Sequence, residues 1–129
     1  MIPLLVAVFP ALPEPPHETQ PRKKMPVIIH GAHTTRSDIV VWACKELQVD
    51  YTFHAINWDA KEHKSPEFLA KNPLGQLPAF EDGDFLLTES GAIVLYLAET
   101  FGAGGPFAAD SVLKRVELVK WARGSPTPE

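Results

Sequence analysis

Pro78 opens a short apolar run, Leu77-Pro78-Ala79-Phe80, and this restricts the possible folds more than any other feature of the chain. Proline has no N–H to give to a sheet ladder, so it belongs on an edge or at the start of a strand. Upstream, Asn72-Pro73-Leu74-Gly75 ends any helix. Downstream, Asp82-Gly83 suits a two-residue type I′ turn, which brings Phe85-Leu86-Leu87 back as an antiparallel strand.

The preceding residues alternate in kind. Pro26-Val27-Ile28-Ile29-His30 is a β-type run stopped by Gly31. Ser37 and Asp38 supply a hydroxyl cap and an acid for a helix over about 38–48, with Val40, Val41, Ala43, Cys44 and Leu47 on its apolar face. Tyr51-Thr52-Phe53-His54-Ala55-Ile56 is rich in β-formers. Two strands joined by a helix make a right-handed βαβ unit with parallel pairing. Ser65-Pro66-Glu67 starts a short second helix. Ser90 begins a third, which buries Ile93, Val94, Leu97 and Phe101 and closes at Gly102. The order β-α-β-α-β-β-α predicts an α/β, thioredoxin-like domain, a four-stranded mixed sheet with helices on both faces.

The 129 residues allow one such domain with tails. Residues 1–24 read as a disordered, proline-rich extension, with a signal or transit segment as the alternative. Residues 25–103 form the domain. Residues 104–129 hold a linker and one helix from Val112 to Arg123, with Val112, Val116, Val119 and Trp121 toward a partner, and a frayed tail. A net charge of −4 argues against nucleic acid, which needs a clustered basic surface. No apolar run approaches membrane-spanning length. The lone Cys44 excludes an intrachain disulfide and a cysteine-based zinc site, so no metal is expected. Cys44 lies mid-helix on an apolar face, where a thiol is inert.

Three local features suit a small, zwitterionic, peptide-like ligand. A cis bond at Leu77-Pro78 would aim the backbone of Leu77 outward, where a peptide could pair with it; an ordinary trans proline at a strand start is the plainer alternative. Ser90 at a helix N-terminus suits a carboxylate, and Glu89 beside it an ammonium, although a capped helix with a solvated acid would look the same. His63-Lys64 could meet a second carboxylate, or be a solvated loop.

The stretches Glu62-His63-Lys64-Ser65-Pro66, Asn72-Pro73-Leu74-Gly75-Gln76-Leu77-Pro78-Ala79-Phe80-Glu81-Asp82-Gly83-Asp84 and Glu89-Ser90-Gly91-Ala92-Ile93 resemble the N-terminal domain of glutathione transferases, in particular the phi-type branch. The resemblance covers residues 25–102. It implies that His63 and Lys64 hold the glycyl carboxylate of glutathione, that Gln76 and Leu77 contact its glycyl and cysteinyl backbone beside a cis Pro78, and that Glu89 and Ser90 bind its γ-glutamyl end. It also implies a cytoplasmic homodimer that conjugates glutathione, as co-substrate, to small electrophiles in detoxification or stress response.

A hydroxyl that donates to the glutathione sulfur favours the thiolate. In the phi-like pattern this is a serine between the first strand and first helix. The sequence departs here. Counting from Gly31, the position is Thr35; counting back from the helix brings in Thr34 or Ser37. The order of preference is Thr35, Thr34, Ser37. The family's all-helical second domain, which supplies most of the electrophile pocket, would need about 100–150 residues. Only its first helix is expected in this chain, so catalysis is expected to be weak. The alternatives are a non-catalytic glutathione-binding or protein-docking module, as in elongation factor gamma subunits, or an inactive remnant.

Overall fold

A computed structural model describes residues 25–108 and 110–123, with side chains through residue 120. The readings of residues 1–24 and 124–129 and of the Trp121 side chain lie outside the described residues. The elements are β1 (Val27–Gly31), α1 (Ser37–Glu46), β2 (Tyr51–Ala55), a 3₁₀ turn (Glu62–Lys64), α2 (Pro66–Lys71), β3 (Ala79–Asp82), β4 (Phe85–Thr88), α3 (Ser90–Phe101) and α4 (Val112–Arg123). The strands form one mixed sheet in the order β2-β1-β3-β4. β1 and β2 are parallel, and β3 runs antiparallel to both β1 and β4. This is the thioredoxin-like arrangement read from the sequence, with a further helix after it.

Alternation along the strands sorts side chains to two faces. Val27 and Ile29 of β1 and Phe80 of β3 pack with Val40, Ala43 and Cys44 of α1 and Ile93, Val94 and Leu97 of α3. Ala79 turns to the other face and packs with Ile56 and with Phe68 of α2. Polar residues share that second face: His30 Nε2 and Glu81 Oε1 are 2.8 Å apart, and Lys71 of α2 also binds Glu81.

Several local readings are corrected. The hairpin loop is Gly83-Asp84, because Asp82 still pairs with Phe85. Tyr96 holds Asp82 there by donating to its Oδ2 at 2.7 Å. Of the two loop residues only Gly83 has positive φ (61°), as a type II′ turn needs and a type I′ turn, which needs it at both, does not. α1 starts one residue earlier than expected and ends at Glu46. Ser37 does not cap it from outside but is fully buried, and its Oγ accepts from Ala32 N at 3.3 Å. Gly31 makes room for this: a Cβ there would lie 2.3 Å from the Ser37 Oγ. Phe101 is exposed rather than buried. In α4, Leu118 packs on the core and Val119 faces α3, whereas Val112 and Val116 point to solvent.

Candidate functional site

Strand register brings the predicted site residues to one end of the sheet. His30 pairs with Ala79, Gly31 with Ala55, and Ala79 with Thr88. The C-terminal ends of β1, β2 and β4 and the start of β3 therefore coincide. Beyond them run the Thr34-Thr35 loop, the chain leading to His63-Lys64, the Gln76-Leu77-Pro78 approach and the Glu89-Ser90 helix start. The outer carboxyl ends of sheet strands are where open α/β folds bind ligands. Three of the four described non-glycine residues with positive φ lie at this end, Thr34 (φ 64°), Lys61 (φ 54°) and Glu89 (φ 73°), while Gln48 (φ 55°) lies at the other, between α1 and β2.

The His63-Lys64 turn and the Gln76 loop are tied together. Lys64 Nζ donates to Leu74 O and Gly75 O, each at 3.3 Å. Asn72 shapes the loop from inside, its Nδ2 donating to Gln76 O at 2.8 Å and its Oδ1 accepting from Leu74 N at 3.1 Å. Gly75 has φ 60°. Gln76 is exposed, Leu77 half-buried and Pro78 buried. The Leu77–Pro78 bond is cis. Pro78 precedes an interior strand, so it satisfies the ladder by standing at a strand start and not on an edge.

His63 is not a solvated loop residue. It is buried, and its ring stacks on Trp58 with centroids 3.9 Å apart and planes 6° from parallel. Its Nδ1 is buried without a hydrogen-bond partner. An unmatched buried polar atom at a strand-end site invites a ligand or water contact. Sequence reading passed over Trp58; the only available signal was an aromatic residue in an otherwise polar stretch.

At the other side, Glu89 and Ser90 line a cleft of about 450 Å³ together with Arg36, Gly91, Ala92, Leu95 and Val119. Ser90 is 4% exposed, at the N-terminus of α3. Sequence reading also missed Arg36, which is adjacent to Thr35.

The three candidate hydroxyls differ sharply in environment. Ser37 is fully buried. Thr34 is exposed; its hydroxyl donates to His33 O at 2.6 Å, and its N–H donates to Asp38 Oδ2 at 2.8 Å. That N–H is the main reason the Asp38 carboxyl is held below its ordinary range, with the His33 ring contributing. Thr35 is half-buried, with its Oγ1 within donating distance of Ala32 O (2.5 Å) and Ser37 Oγ (2.9 Å). Only Thr34 and Thr35 therefore present a hydroxyl near the surface. Cys44 takes no part in the site: burial pushes its thiol up to about 11. Among the described residues no His, Cys, Asp and Glu group could hold a metal, and no helix is long and apolar enough to cross a membrane.

The sheet order defines a thioredoxin-like domain, with the candidate site residues gathered beyond its strand ends. Residues 32–99 match the family model described as glutathione S-transferase, N-terminal domain. The chain therefore belongs to the glutathione S-transferase family, a family of transferases. It is 39% identical over 82 residues to glutathione S-transferase PARB of Nicotiana tabacum, covering 63% of this chain and 38% of that protein. Poplar glutathione transferase F1 superposes with a TM-score of 0.67 at 29% identity, over 75% of this chain and 47% of the other. A glutathione transferase homologue from Drosophila mojavensis, solved with bound glutathione, superposes with a TM-score of 0.59 at 33% identity, over 60% of this chain and 36% of that one. The chain thus spans less than half the length of these relatives.

Proposed function

We propose that this chain binds glutathione and activates its thiol for conjugation to electrophilic substrates. The observation that carries this reading is the convergence of Gln76-Leu77-Pro78, Glu89-Ser90 and the Thr34-Thr35 loop at one sheet end. Residues 25–103 form the glutathione-binding domain, and residues 104–129 hold the linker and first helix of an all-helical domain. Glu89 takes the ligand's ammonium, and Ser90, with the α3 N-terminus, takes the neighbouring carboxylate. Gln76 and the Leu77 backbone pair with the peptide, and His63 and Lys64 face the glycyl carboxylate. Thr35 turns its hydroxyl from Ala32 O to the sulfur, stabilising the thiolate as the proton leaves to solvent. The thiolate then attacks the electrophile. The family setting fits a cytoplasmic homodimer in detoxification or stress response.

One observation favours a second reading, glutathione binding without turnover. A threonine hydroxyl has a single proton, and Thr35 directs its own into the loop. Two measurements separate the readings. Retention on immobilised glutathione with turnover of an aryl halide supports the enzyme; retention with no turnover above background supports the binding module. Failure to bind glutathione by calorimetry rejects both.

A further inference from the structure

The cleft at the start of α3 holds two opposite charges that do not neutralise each other. Arg36 precedes α1, and Glu89 precedes α3. Both side chains line the same cleft of about 450 Å³. Neither has an ion-pair or hydrogen-bond partner among the described residues, and neither does the Ser90 hydroxyl, although Ser90 is 96% buried. A cleft with an unpaired cation, an unpaired anion and the unpaired hydroxyl of a largely buried serine is complementary to a group bearing both charges on one carbon, and an α-amino acid head is such a group.

From this arrangement we infer that Arg36 is a binding residue for the α-carboxylate of the γ-glutamyl head, opposite Ser90. The inference rests on the glutathione reading above and adds to it a residue and a division of labour. Ser90 and the α3 N-terminus offer neutral donors to the carboxylate, and Arg36 supplies the countercharge. A guanidinium can bind a carboxylate through two parallel N–H donors, which gives direction as well as attraction. Glu89 takes the ammonium on the same carbon. The apolar wall of Ala92, Leu95 and Val119 limits water on the remaining side. Arg36 thus makes the head-group site selective for a ligand retaining both charges.

The test is calorimetric titration of the full chain and its Arg36→Gln variant with two ligands, glutathione and γ-aminobutyryl-cysteinyl-glycine, which lacks the α-carboxylate. The expected result is a loss of about tenfold or more in glutathione affinity, the range for a hydrogen bond to a charged group, and less than about twofold for the decarboxylated peptide. Arg36→Lys keeps the charge without the fork and recovers part of the loss. Because Arg36 is exposed and unpartnered, the glutamine variant should retain its circular dichroism, confirming that folding is not the cause. Equal losses for both ligands, or no loss for glutathione, overturn the assignment of Arg36 and leave the glutathione reading intact. If the unmutated chain binds neither ligand, the glutathione reading falls, and this inference with it.

Discussion

The Thr35 Oγ1 lies 2.9 Å from the Ser37 Oγ, joining the half-buried hydroxyl beside the strand-end site to a fully buried one at the start of α1. The Ser37 N–H returns a bond to Thr35 Oγ1 at 3.2 Å, so the two residues brace each other. Removing the outer hydroxyl should affect chemistry, and removing the inner one should affect stability. Thr35→Ala is expected to lower kcat/KM by about a hundredfold, as loss of a positioned donor does, whereas Thr35→Ser retains most activity. Ser37→Ala is expected to cost about 1–2 kcal/mol in urea unfolding, because Ala32 N loses its acceptor. Undiminished turnover in Thr35→Ala would remove Thr35 from the mechanism.

Thr34 is a β-branched residue at φ 64°, where glycine is favoured. Thr34→Gly should relieve about 1 kcal/mol of backbone strain and raise the thermal midpoint. Its hydroxyl bonds only to the adjacent carbonyl, so turnover should change little. A lower midpoint would show that the Thr34 side chain stabilises the loop more than its conformation strains it.

Gly75 couples the two halves of the peptide-binding side. Besides its positive φ, a Cβ there would lie 2.7 Å from Lys64 Nζ and 2.9 Å from His63 O. The lysine tip can swing away, but the backbone carbonyl cannot. Gly75→Ala is therefore expected to destabilise the chain by about 1–3 kcal/mol and to weaken glutathione binding. Unchanged values in both denaturation and calorimetry would mean the loop and the 3₁₀ turn move independently.

Acid should weaken the fold in two stages. Burial holds the His30 imidazole below its ordinary 6.5, against the opposing pull of Glu81 and with smaller help from Lys71 and His54. The unfolded chain then takes up that proton first, so stability falls as pH drops below about 6.5. The bond from Lys71 holds the Glu81 carboxyl below its ordinary 4.5, so its contribution is present above that value and is lost as pH falls through the lower folded one. Urea midpoints across pH should show both declines. His30→Gln should flatten the upper stage and Glu81→Gln the lower. An unaltered profile in His30→Gln would assign the upper stage to another group.

Cys44 should be silent. With its thiol pushed up to about 11 by burial, it stays protonated at pH 8 and is shielded. A thiol-reactive dye should label the native chain negligibly and one site per chain after unfolding. Rapid native labelling would place Cys44 in a region that opens readily.

Much of the fold was legible because strand and helix periods are local properties. The β-type runs at 26–30, 51–56 and 77–80, the cap at Ser65, and the strand-opening proline each carry a local steric or hydrogen-bonding cause. The family was legible for the same reason, since the residues that carry the resemblance lie in short contiguous stretches. Misreadings fell where a local preference met a tertiary demand. The hairpin moved by one residue because Tyr96, far along the chain, holds Asp82 in the strand. Ser37 turned inward because Gly31 leaves space for it.

The sequence by itself thus determined the element order, the strand-start role of Pro78 and the family, since each rests on neighbouring residues. Only the tertiary structure decided which hydroxyls reach the surface, that Trp58 stacks on a buried His63, and that Arg36 shares a cleft with Glu89 and Ser90. Those facts depend on register and packing between residues many positions apart. Contacts of that kind are set when the sheet pairs and the helices close over it, and no local pattern of side chains encodes them.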